Sequence, residues 1–201
     1  GTALSRFWRT LRRPATLQLS LVYAMGFGGF VAFSVYLPTY LVAAYDLTRQ
    51  DASLRTAGFV VLAVAARPLG GWLSDRWAPV PVLALSFLIT AICGAMAATH
   101  LDLLPEGTVA FLVMGIMLGA SSGACFALVA RVAPPGEVGA ITGVVGAAGG
   151  LGGFFPPLVM GAVYGATGEY TWGLALLAIT ALLIAWFVVG PVRKLERAAQ
   201  R

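Results

Sequence analysis

The sequence predicts an all-α membrane protein, a bundle of six transmembrane helices. Three observations predict it. Of the 201 residues, 59% are hydrophobic and only 10% are charged, against roughly 25% charged in soluble domains. Mean hydropathy is +0.88. The apolar residues fall into six long segments, near 17–45, 52–73, 80–99, 109–129, 138–164 and 172–192. Each reaches or exceeds the ~20 residues that carry a helix across hydrocarbon. Backbone groups in lipid must bond within their own segment, which makes these segments helices. Alternating ten-residue strands, the mark of an outer-membrane barrel, are absent from the sequence.

The chain divides into three parts. Residues 1–16, GTALSRFWRTLRRPAT, form a basic cytoplasmic segment. It lacks the short apolar core and small-residue cleavage site of a secretory signal, and Phe7, Trp8 and Leu11 among arginines suit a membrane interface. Residues 17–192 hold the six spans, and 193–201 form a basic tail. The breaks between spans are short and rich in Pro, Asp and Glu, as in YDLTRQDAS, DRWAPVP and ARVAPPGE. Short breaks make successive helices antiparallel neighbours.

Orientation follows from the basic residues. Arg6, Arg9, Arg12, Arg13, Arg76, Arg131, Arg193, Lys194, Arg197 and Arg201 share one end if six helices alternate, and the other end has Arg49 and Arg55. Both termini are therefore expected in the cytoplasm. The net charge of +5 expresses this bias and is no sign of nucleic-acid binding. Cys93 and Cys125 lie in apolar spans without metal-site spacing, and His100, the single histidine, sits at a span end. No Ser/His/Asp or Cys/His constellation can be built from these residues. An intramembrane enzyme would need paired acids, a Ser/Lys pair or a metal cluster at depth.

The second span carries the residue that points to function. In VLAVAARPLGGWLSDRW, Arg67 interrupts an apolar run, roughly 11–13 Å inside the cytoplasmic end at 1.5 Å per residue. Lipid exposure at that depth is costly. Two readings stand: a side chain that snorkels to the headgroups, or one that faces a polar interior. Pro68 favours the second, because it leaves the Val64 carbonyl without its usual partner. A planar five-donor fork suits a small planar oxyanion. No aspartate or glutamate lies inside any span, so the counter-charge at depth is expected to be a substrate.

Two stretches fit a cavity around it. VYAMGFGGF puts Tyr23 and Phe27 four residues apart on one helix face, offering a hydroxyl and a ring wall, or ordinary aromatic packing. GVVGAAGGLGGFFPP carries Gly143, Gly146, Gly149, Gly150, Gly152 and Gly153 ahead of Pro156 and Pro157. Such a stripe lets helices approach closely and lets backbone reach a ligand. With no lysine after it and no strand before it, it is not a phosphate loop.

GFVVLAVAARPLGGWLSDRW resembles the eighth helix and following loop of the major facilitator superfamily. More narrowly, GVVGAAGGLGGFFPPLVMG resembles the second signature of the nitrate/nitrite porter family, and YAMGFGGFVAFSVYLPTYL is similar to that family's seventh helix. The resemblance implies one six-helix half, the C-terminal one, of a twelve-helix fold. It implies that Arg67 binds substrate with Tyr23 and Phe27 in the pocket, and that Gly146, Gly149, Gly150 and Gly153 line the anion. Ser122, in GASSGACFALV, stands where the family pattern has asparagine. The implied activity is transport of nitrate or nitrite by alternating access, with no cofactor and no metal. The implied partners are the lipid bilayer and a missing N-terminal six-helix half, in the same polypeptide or as a separate chain. Another small anionic substrate, a structural or partner-binding role, and a homodimer of halves are the alternatives.

Overall fold

The computed structural model describes residues 3–201. Gly1 and Thr2 of the expected basic segment lie outside the described residues. A short amphipathic helix α1 (Ala3–Leu11) precedes five long helices: α2 (Pro14–Tyr45), α3 (Arg49–Trp77), α4 (Pro79–Ala98), α5 (Thr108–Val132) and α6 (Val138–Thr167). The last span is α7 (Thr171–Phe187), which continues through the wide turn Val188–Val192 into α8 (Arg193–Ala199). Six helices are long and apolar enough to cross a membrane, as the sequence predicts.

Local chemistry sets the boundaries. Pro14 and Pro79 stand in the first turns of α2 and α4, where a missing N–H costs nothing. Asp46 takes the left-handed conformation (φ 55°) that closes α2. Thr48 caps α3, its hydroxyl accepting from the Asp51 amide at 3.2 Å. The far end of α3 is closed by its neighbours: the Ala78 amide and the Arg131 guanidinium both donate to the Ser74 carbonyl, at 3.0 and 2.8 Å. Arg13 bonds Glu137 at 2.8 Å and ties the start of α2 to the start of α6. At the opposite end, the Tyr45 hydroxyl donates to the Leu101 carbonyl at 2.8 Å, and Thr171 Oγ1 stands 2.6 Å from His100 Nε2. These cross-loop bonds confirm the alternating up-and-down course.

Glycine decides how the helices meet. A Cβ on Gly70 would overlap Ala120 backbone, one on Gly119 would overlap the Ala63 carbonyl, and one on Gly123 the Arg67 carbonyl. Gly115, Gly119 and Gly123 thus form a seam along α5 that lets α3 pack backbone to backbone. The α2–α6 crossing works in the same way. A Cβ on Gly28 would lie 2.8 Å from Gly152 Cα, and one on Gly152 would lie 2.8 Å from Ala24 Cα. Two apolar clusters fill the bundle on either side of these crossings, one around Leu83, Phe87 and Leu128 toward the termini, the other around Phe33, Phe59 and Met114 toward the loops. The helices flanking α2, namely α3 and α6, are the least covered: 28% and 22% of their apolar windows are buried, against 39–61% for the other spans.

Candidate anion-binding site

Arg67 does not bend toward a helix end. Its guanidinium carbon lies 5.0 Å from the Phe27 ring centre and 5.4 Å from that of Phe30. Both rings belong to the middle of α2, so the charge is held at mid-depth, and cation–π attraction to two ring faces fixes its place. The backbone beneath is clamped by Gly123, so α5 determines where α3 presents the side chain. Among the described residues Arg67 has no carboxylate within salt-bridge distance, and its N–H groups make no hydrogen bond. The alternative of a snorkelling side chain is not the arrangement adopted.

Tyr23 continues the wall. Its ring stacks on Phe27 with centres 5.4 Å apart and planes 1° from parallel, and leans on Phe126 at 4.6 Å. Gly149 makes room for it: a Cβ there would come within 2.6 Å of Tyr23 Cδ1 and 3.0 Å of Phe27 Cδ1. Tyr23 is buried, and among the described residues its hydroxyl makes no hydrogen bond. Arg67, Phe27, Tyr23 and Gly149 are therefore one contiguous arrangement, spanning α3, α2 and α6.

The remaining predicted residues sit differently. Gly153 packs on Val31, with an added Cβ 3.0 Å from Cγ1. Gly146 and Gly150 face space in which no described atom lies within 4 Å of an added Cβ. Ser122 is buried, and its hydroxyl hydrogen is used within α5, donated to the Leu118 carbonyl at 3.1 Å. Three features of the arrangement go beyond the sequence reading: Phe30 beneath the guanidinium, Phe126 behind Tyr23, and the α5 glycine seam. Phe30 could have been found from its spacing of three from Phe27, and the seam from the four-residue repeat of Gly115, Gly119 and Gly123.

The family model of the Major Facilitator Superfamily matches residues 19–201. The chain belongs to that superfamily. Its relatives within it are transporters named for nitrate and nitrite, as the resemblance implied. It is 51% identical over 181 residues to the probable nitrate/nitrite transporter NarK2 of Mycobacterium tuberculosis, covering 90% of this chain and 46% of that protein. It is 41% identical to the probable nitrate transporter NarT of Staphylococcus haemolyticus, over 96% of this chain and 50% of that protein. It is 38% identical to the nitrite extrusion protein of Bacillus subtilis, over 84% of this chain and 43% of that protein. The chain spans about half the length of the curated relatives it matches. Among solved structures it is similar to the inward-open xylose transporter XylE of E. coli, at TM-score 0.70 and 20% identity, covering 87% of this chain and 47% of that one. That likeness shows the fold, a six-helix half; the family match and the six apolar helices make the chain part of a multi-pass membrane protein.

Proposed function

We propose that this chain is the C-terminal half of a secondary transporter for nitrate and nitrite in the cytoplasmic membrane. One observation carries the reading: a guanidinium without a carboxylate partner among the described residues, held at mid-depth over Phe27 and Phe30 beside Tyr23. In this reading Arg67 supplies charge and a planar fork to the anion, Tyr23 donates a hydrogen bond, and Phe27 forms a wall. Gly146, Gly149, Gly150 and Gly153 let the α6 backbone come close, and Ser122 lies one helix further out. A second six-helix half, in the same polypeptide or a separate chain, lies against α3 and α6, the least covered spans. The halves rock about a site between them. No bond is made or broken, so the protein is not an enzyme. Residues 1–16 and 193–201 are its cytoplasmic basic segments, with both termini on that side. Another small planar oxyanion would fit the same fork.

The test is anion uptake by the full-length protein in liposomes. Arg67→Ala is expected to abolish saturable uptake. Arg67→Lys keeps the charge but loses the fork, and is expected to raise the nitrate KM by about tenfold, or ~1.4 kcal/mol. Uptake of nitrate and nitrite that survives Arg67→Ala unchanged sinks the reading.

A further inference from the structure

The end of the bundle away from α1 and α8 carries a second arginine aligned with the first. Arg49 and Arg67 are eighteen residues apart on α3, which is five full turns at 3.6 residues per turn. They therefore point from the same face, about 27 Å apart along the helix axis at 1.5 Å per residue. Arg55, the other arginine at that end, is six residues from Arg49, or about 240° around the helix. It lines a small cavity with Phe59 and Phe111 and pairs with Asp51 at 3.2 Å. Arg49 instead opens, with Thr39 and Ser53, into a groove of about 470 Å³ between α2 and α3. Pro38, Val42 and Ala43 form its apolar side. Ser34, one turn deeper on α2, bonds its hydroxyl to the Val31 carbonyl at 2.8 Å, while Pro38 leaves the Ser34 carbonyl without its helical partner. The next turns of that helix reach Phe30 and Phe27, on which the Arg67 guanidinium lies.

The charges around Arg49 sharpen its role. The loops of this end carry Asp46, Asp102, Glu106 and Glu169 besides Asp51. With Arg55 paired, the rim is acidic and repels anions. Arg49 is exposed and, among the described residues, has no carboxylate within salt-bridge distance.

We infer that Arg49, with the Thr39 hydroxyl beside it, is a capture site for small oxyanions in the α2–α3 groove, on the helix faces that also carry Arg67 and its rings; the Ser53 hydroxyl lines the groove but is spent on the Arg49 carbonyl at 2.7 Å. The inference rests on the proposed transport function and adds a second binding position to it. At about 27 Å the two arginines are separated by several Debye lengths in physiological salt. Arg49 therefore does not alter how tightly Arg67 holds an anion. It raises the local anion concentration and the rate of arrival, an effect that salt removes. Its signature is a change in KM at low ionic strength with kcat untouched.

Nitrate uptake by the full-length protein in liposomes at about 100 mM and about 500 mM potassium gluconate reads this directly, since the Debye length shrinks from ~10 Å to a few Å and in both cases stays well short of the ~27 Å to Arg67. Arg49→Gln is expected to raise the nitrate KM about three- to tenfold in low salt, with kcat unchanged and the effect gone in high salt. Arg49→Lys is expected to behave as wild type, and Arg55→Gln to leave KM within twofold. A second variant controls for folding. Arg49→Cys can be labelled while buried Cys93 and Cys125 stay unreacted; a cationic thiosulfonate should restore KM and an anionic one should raise it further. Equal KM in Arg49→Gln and wild type, an effect that persists in high salt, or equal response to both reagents overturns the capture site. If those results come while Arg67→Ala still abolishes uptake, only the capture site fails. If Arg67→Ala transports normally, the transport reading fails and takes the capture site with it.

Discussion

Gly149 shows how much a single missing side chain decides. An alanine there would drive its Cβ into Tyr23 and Phe27, and the stacked pair would have to move away from Arg67. Overpacking of this kind costs about 1–3 kcal/mol. Gly149→Ala is therefore expected to lower the melting temperature of the purified protein and to weaken nitrate uptake. Gly161→Ala is the matched control on the same helix, since nothing lies within 4 Å of its added Cβ. It is expected to match or exceed wild-type stability, alanine being the better helix former by about 1 kcal/mol. Thermal unfolding in detergent measures both. Arg67, Tyr23, Phe27 and Gly149 stood out in the sequence as residue types, and their contiguity did not. Helical spacing places residues on faces but does not say which face meets which helix.

At the scale of elements, two backbone-to-backbone contacts hold the site. Along the α3–α5 contact, Gly119 and Gly123 lie against the carbonyls of Ala63 and Arg67. Gly119→Leu is expected to force α3 off α5 and abolish folding or transport. Gly71→Ala, facing open space, should leave both intact. At the termini end, Arg131 donates to the Ser74 carbonyl and stands 3.9 Å from Glu196, a carboxylate that is only 6% exposed. Arg131→Ala leaves the Ser74 carbonyl with the Ala78 amide alone and a buried carboxylate without its cation. The expected loss is about 1.5–3 kcal/mol, as for hydrogen bonds to charged groups, read as a fall in melting temperature that Arg131→Lys partly recovers. The α6 glycines are dense in the sequence and the α5 repeat of Gly115, Gly119 and Gly123 is sparse. Yet only some of the α6 glycines are filled from within this chain: Gly149, Gly152 and Gly153 meet α2, while Gly146 and Gly150 meet nothing described.

For the whole molecule, six spans put both ends of the chain on one side. Single cysteines at Arg197 and at Glu169 are expected to react from opposite faces of sealed vesicles, the first only from the cytoplasmic side; labelling of both from one side would contradict the topology. Native Cys93 and Cys125 are buried and give little background. The exposed apolar faces of α3 and α6 are the other molecule-wide feature. Trp72 and Trp77 on α3, and Phe154 and Phe155 on α6, are all more than half exposed. These faces suit lipid or a second bundle, and composition alone treats the two alike.

The sequence by itself determined the solvent, the number and order of the helices, their alternation, and the anomaly of Arg67, because these depend on hydropathy, length and local capping. The tertiary structure decided that Arg67 rests on Phe27 and Phe30, that Gly149 seats Tyr23, and that Ser122 spends its hydroxyl hydrogen within its own helix. Those outcomes depend on helix rotation and crossing depth, which are set by glycine seams acting between segments distant in the chain. The alignment of Arg49 with Arg67 belongs to both levels: the register was countable from the residues, and the groove beside Arg49 exists only where α2 and α3 come together.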